Sequence, residues 1–176
     1  MDNATHAFIG LAVGEVIHRV LPSHENEKQN NTRRLLFLFF CAAASNFPDL
    51  DLVLYPLLKA PLGYLLHHRG HSHTFIWEIP QALLLLFGTL LLWPNARRLF
   101  LSDHSTRLGS LLAIVIGFVL HISMDFLNSY GIHPFFPFDT RWYYGDMVFI
   151  IEPIFWSTAP PPSALRARSR TARLPG

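Results

Sequence analysis

The chain has 176 residues, 51% hydrophobic and 15% charged, with a mean hydropathy of +0.27. That is room for one domain and too apolar for an ordinary soluble one, and because the apolar residues are clumped into runs an integral membrane protein is expected. The net charge of +2 comes from Arg166, Arg168, Arg170 and Arg173 near the end; the body before them holds 10 basic against 12 acidic residues, which excludes a basic nucleic-acid-binding stripe.

The single Cys41 lies inside an apolar run, so neither a disulfide framework nor a thiolate metal site is available, and any metal is held by nitrogen and oxygen. The first residues, Met1 to His6, lack the positive region of a secretory signal and are expected to be retained.

From Thr5 to Val20 the apolar spacing predicts a helix, with Thr5 or Asn3 as its N-cap. His6, Gly10, Gly14 and His18 recur every four residues; the two glycines make a face that admits a close neighbour, and His6 then points into that contact. Leu21 to Arg34 is polar and reads as a loop. Leu35 to Ala44 is wholly apolar, and Thr32 to Phe47 makes a span of about 16 residues that Pro48 stops.

At that end stands Asn46-Phe47-Pro48-Asp49-Leu50-Asp51. These are turn residues, and they are also hard carboxylates able to bind a metal or to orient the imidazoles that do. Leu52 to Leu66 is apolar but broken by Pro56, Lys59, Pro61 and Gly63, so an interfacial or irregular segment is expected. Directly after it comes His67-His68-Arg69-Gly70-His71-Ser72-His73-Thr74, four of the ten histidines within seven residues. Such a run can be a solvated loop, but beside an apolar run metal is the leading explanation.

Phe75 to Trp93 is the clearest span, interrupted only by Glu78, Pro80 and Gln81 near its start. Pro94 to Arg107 reads as a polar loop, and Leu108 to Leu127 as the next span, with His121 and Asp125 near its far end. An i, i+4 spacing puts both side chains on one helix face, within reach of one ion, and the pair is costly inside a span. Asn128 to Gly145 is a loop rich in proline and aromatics, and Met147 to Trp156 begins a further apolar segment. Residues 1–158 therefore form the membrane domain, and 159–176 a low-complexity tail matching neither helix nor strand, read as a truncated or frame-shifted end or a disordered tail.

If the segments cross alternately, every candidate ligand lands at one membrane face. The opposite loops carry Lys28, Arg33, Arg34, Arg97, Arg98 and Arg107, with Arg19 adjacent, against Lys59, Arg69 and Arg141 on the site side. By the positive-inside rule the site faces the periplasm or exterior. The expected fold class is all-α, an integral membrane bundle of about four to five hydrophobic helices with a metal site at one face.

The Thr5-His6 helix start, the Asn46 to Asp51 turn, the His68 to Thr74 block and His121-x-x-x-Asp125 together resemble the bacterial membrane-bound metal-dependent hydrolases of the YdjM-like family. The resemblance covers about residues 1 to 156 and implies a multi-pass inner-membrane protein with hydrolase activity. Members usually continue through further hydrophobic helices, whereas this chain changes to Pro, Ser, Ala and Arg after Trp156. The order of His, Asp, His, His and His-x-x-x-Asp is also loosely similar to zinc-dependent phospholipase C, which points to phosphoester chemistry.

The expected cofactor is one or two divalent ions, Zn²⁺ first, with Mn²⁺ or Mg²⁺ as alternatives. His6, Asp49, His71, His121 and Asp125 are assigned as ligands, with His68 added because it begins the family-like block. Asp51 and His73 are ligands or bases behind the ligands, and Arg69 is the cation that meets substrate or transition-state charge. Ser72 and Ser123 lie near histidines but in no Gly-x-Ser-x-Gly elbow, which disfavours a serine nucleophile. The partners expected are the lipid bilayer and an amphiphilic, lipid-like or phosphoester substrate. The rival readings are a non-enzymatic metal-binding or ion-transport protein and a structural membrane subunit.

Overall fold

A computed structural model of the chain describes residues 2–22, 26–51 and 71–148. His67, His68, Arg69, the Leu52–Leu66 segment, most of Met147–Trp156 and the 159–176 tail lie outside the described residues. Among those described there are five helices and no strand: α1 (Asn3–Val20), α2 (Glu27–Ala44), α3 (Phe75–Leu92), α4 (Pro94–Ser102) and α5 (His104–Phe126).

Local chemistry sets the helix ends. The Asp2 carboxylate caps α1 by accepting from the Thr5 backbone N–H at 3.0 Å and its hydroxyl at 2.5 Å, so the cap is Asp2 in place of the expected Thr5 or Asn3. The stretch expected as a loop up to Arg34 is already helical from Glu27. Asn26 caps the Lys28 and Gln29 N–H groups, and Glu, Lys and Gln are good helix formers whose polarity reads as loop only by composition. The expected 94–107 loop likewise holds α4, opened by Pro94, and the first turn of α5, capped by Asp103 accepting from the Thr106 N–H at 2.6 Å.

The centre of the molecule is α2, which lies against both α1 and α5. Its Leu36, Phe37, Phe40, Cys41 and Ala44 are fully buried and pack with Ile17 of α1 and with Ala113, Ile114 and Phe118 of α5. Glycines permit the approach: a Cβ on Gly10 would lie 2.7 Å from Ala42 Cα, and one on Gly117 would lie 2.6 Å from Ala44 Cβ. Both contacts fall in the last turn of α2. They draw the start of α1 and the end of α5 to that end, where the 3₁₀ turn 47–51 and the start of α3 also stand. At the other end Glu15 of α1 is buried between Arg19 and Arg34, whose Nε atoms donate to its two oxygens at 2.8 and 2.7 Å.

Of the four to five hydrophobic helices expected, two among the described residues are long and apolar enough to cross a membrane, α3 and α5. Leu84, Phe87, Leu91 and Leu92 leave an exposed apolar face on α3. The other three fall short: α1 carries His6, Glu15, His18 and Arg19, α4 has 9 residues, and the first half of α2 is polar. After α5 the chain turns back on itself: Asn128 Oδ1 accepts from the Tyr130 and Gly131 N–H groups, Ile132 pairs with Tyr143, and the Pro134 carbonyl accepts from the N–H of Phe75, the first residue of α3.

Candidate metal centre

Five buried side chains converge where these ends meet. His6 comes from the first turns of α1, Asp49 from the 47–51 turn, His73 from the residues just before α3, and His121 and Asp125 from one face of α5. His6, His73, His121 and Asp125 are 0% exposed and Asp49 6%.

Their spacing is that of ligands around an ion. His73 Nε2 stands 3.2 Å from Asp49 Oδ1 and 3.3 Å from Asp125 Oδ2, and His121 Nε2 stands 3.8 and 3.5 Å from the same two atoms. One donor atom from each of the four residues lies within 4.8 Å of all the others. Ligand atoms held at about 2.1 Å by a tetrahedral ion stand about 3.4 Å from one another, so the observed edges fit a divalent ion bound by two imidazoles and two carboxylates. His6 flanks this group, its ring 4.4 Å from that of His121 and its Nε2 3.4 Å from Asp125 Oδ1.

The outer hydrogen bonds turn both imidazoles the right way. His121 Nδ1 lies 2.8 Å from the Ser45 carbonyl oxygen, an acceptor only, so Nδ1 carries the proton and the Nε2 lone pair faces the carboxylates. The Ser72 hydroxyl donates to Asp51 Oδ2 at 2.5 Å, and its oxygen therefore accepts from His73 Nδ1 at 2.9 Å, which again leaves Nε2 directed inward. His121 Nε2 has no hydrogen-bond partner, nor has either ring nitrogen of His6. Buried polar atoms in that condition fit a group that accepts an electron pair.

The electrostatics agree. Burial alone lowers the pKa of His73, but Asp125 and Asp49 outweigh it and raise it above 6.5. Burial likewise opposes an ionised Asp49, yet the hydrogen bond and the positive charge of His73 hold it below 3.8. The pocket is organised around two negative carboxylates and favours positive charge between them.

Of the residues singled out in the sequence, the structure brings together His6, Asp49, His73, His121 and Asp125. Asp51 reaches the group through Ser72. His71 lies apart and exposed, its ring set edge-on against Phe136 at 5.2 Å. His68 and Arg69 fall outside the described residues. Sequence reasoning gave no orienting role to Ser72 and did not single out Ser45. Ser72 had a signal, its place between two histidines; Ser45 acts through its carbonyl, which no side-chain pattern reveals.

These features define a class: a helical protein with apolar helices fit to cross a membrane and, at one end of its bundle, a buried His/Asp cluster able to hold a metal ion. The chain matches the model of the family described as YdjM inner membrane protein over residues 1–174 and belongs to that family. The match continues past Trp156, where the composition changes. Searches of curated proteins and of solved structures found no match.

Proposed function

We propose that the chain is a multi-pass inner-membrane hydrolase that uses a divalent ion, Zn²⁺ first among the choices, held by Asp49, His73, His121 and Asp125. The observation that carries this reading is the set of four buried donors at ligand-to-ligand distances, with both histidines oriented by hydrogen bonds on their far sides. Bound there, such an ion supplies Lewis acidity and lowers the pKa of water from about 15.7 toward about 7. The residues themselves do the holding: the carboxylates neutralise charge, Ser45 and Ser72 fix the imidazole tautomers, and the surrounding helices exclude bulk water.

Position supports the substrate class. The cluster lies at the α5 end of one apolar helix and the α3 start of another, so an amphiphilic or lipid-linked ester or phosphoester reaches it from the membrane edge. Arg69 completes the reading as the cation for an anionic group, and the loop charge bias supports a site toward the periplasm. The test is hydrolysis of a panel of phosphoester and carboxylester lipids by detergent-purified protein, before and after chelation and with Asp125→Ala. Metal-dependent turnover lost in the variant is the expected result, and a metal-loaded folded protein inert on the whole panel counts against it.

Complete burial of the donors favours one alternative, a metal-binding or ion-conducting membrane protein without hydrolysis. Divalent-ion flux in reconstituted vesicles, absent from Asp125→Ala, distinguishes it.

A further inference from the structure

We propose that Asp125 bridges two ion positions and that His6 is a ligand of the second. The inference rests on the metal reading above but goes beyond the four-residue group. The two oxygens of Asp125 are addressed from different sides. Oδ2 faces His73 and His121 at 3.3 and 3.5 Å, whereas Oδ1 faces His6 Nε2 at 3.4 Å and, at a long 3.5 Å, the Asn128 amide.

His6 is the second, independent observation. Its ring is 0% exposed, and neither nitrogen makes a hydrogen bond. It has little freedom to withdraw, because its own carbonyl accepts from the Ser45 hydroxyl at 2.9 Å and Gly10, one turn on, is pressed against Ala42 and Ser45. A histidine fixed in that way, with Nε2 against the Asp125 oxygen that faces away from His73 and His121, is a ligand-bearing residue. Ions placed on the two oxygens of one bridging carboxylate stand about 3.5–4 Å apart, the spacing of two-metal sites that serve phosphoester displacement. The second ion is a divalent cation of the same nitrogen- and oxygen-preferring kind, and it ties α1 to α5.

The experiment is titration of the full chain in detergent, tag removed and metal stripped, with Mn²⁺, reading bound metal per chain by elemental mass spectrometry and exchange coupling by electron paramagnetic resonance. Wild type is expected to take up two equivalents with an exchange-coupled signal. His6→Asn and His6→Ala are each expected to hold one equivalent with an isolated-ion signal. One equivalent in folded wild type overturns the second position while leaving the four-residue site standing; none overturns both. Two coupled equivalents in a folded His6 variant also overturn the proposal. Since wild-type stoichiometry alone can refute it, the test survives a variant that fails to fold.

Discussion

His121 and Ser45 sit 76 residues apart in sequence, yet the imidazole Nδ1 and the main-chain carbonyl oxygen are 2.8 Å from each other. This bond joins α5 to the end of α2 and fixes the tautomer that turns His121 Nε2 to Asp49 and Asp125. Ser72 does the same for His73 from the other side, with Asp51 behind it.

That symmetry makes Ser72 a positioning residue. Ser72→Ala is expected to weaken metal binding about 10- to 100-fold, the usual range for losing a partner behind a ligand, with the fold kept. Asp51→Asn should fall in the same direction, since an amide is a poorer acceptor for the Ser72 hydroxyl. Competition against a chromophoric chelator measures both; affinity equal to wild type would refute the relay.

Gly10 and Gly117 are predicted to be intolerant of size. Gly117→Val must displace Ala44 or Cys41, whose carbonyl oxygen a Cβ would meet at 2.7 Å, at a cost of roughly 1–3 kcal/mol or more. Gly88, where a Cβ meets nothing within 4 Å, is the control. Thermal unfolding in detergent should show a lowered midpoint for Gly117→Val and little change for Gly88→Ala.

Acid should loosen the end of the bundle away from the cluster. Burial raises the pKa of Glu15, but the hydrogen bonds from Arg19 and Arg34 outweigh it and hold it below 4.5. A depressed folded-state value means that the stabilisation is present above about 4.5 and lost as pH falls through the lower folded-state value. The gap in unfolding midpoint between wild type and Glu15→Gln is therefore expected to be widest near neutrality and to shrink below pH 4.5, which a pH series of melts will check.

Chelation should lower stability as well as occupancy, because the four donors come from the 47–51 turn, the residues just before α3, and α5. A ligand present at about 100 times its Kd adds about 2.7 kcal/mol. The melting midpoint is expected to fall by several degrees on metal removal in wild type and to stay put in Asp125→Ala.

Much of this was legible in the sequence. Long apolar runs announced α3 and α5, and the four-residue spacing of His121 and Asp125 announced a shared face, because helical periodicity carries both. The Gly10 and Gly14 stripe announced a close helix contact near His6. Charged, capped helices were hidden by their composition: α4 and the first turns of α2 are polar, and only Asn26, Pro94 and Asp103 mark them. Nor does spacing say which member of the histidine block turns inward. The sequence pattern favoured His71 as a ligand; in the structure the turn before α3 buries His73 and leaves His71 exposed. Contacts such as Ser45 to His121 depend on the packing of distant helices, which no local pattern encodes.

Asp49, His73, His121 and Asp125 are proposed to hold a divalent ion. Elemental mass spectrometry of tag-free protein, wild type beside Asp125→Ala and His121→Ala, tests this most directly. Near-stoichiometric metal in wild type, lost in both variants while helical content is retained, is the predicted result. Folded wild type that binds no metal even after incubation with Zn²⁺ or Mn²⁺ would contradict it.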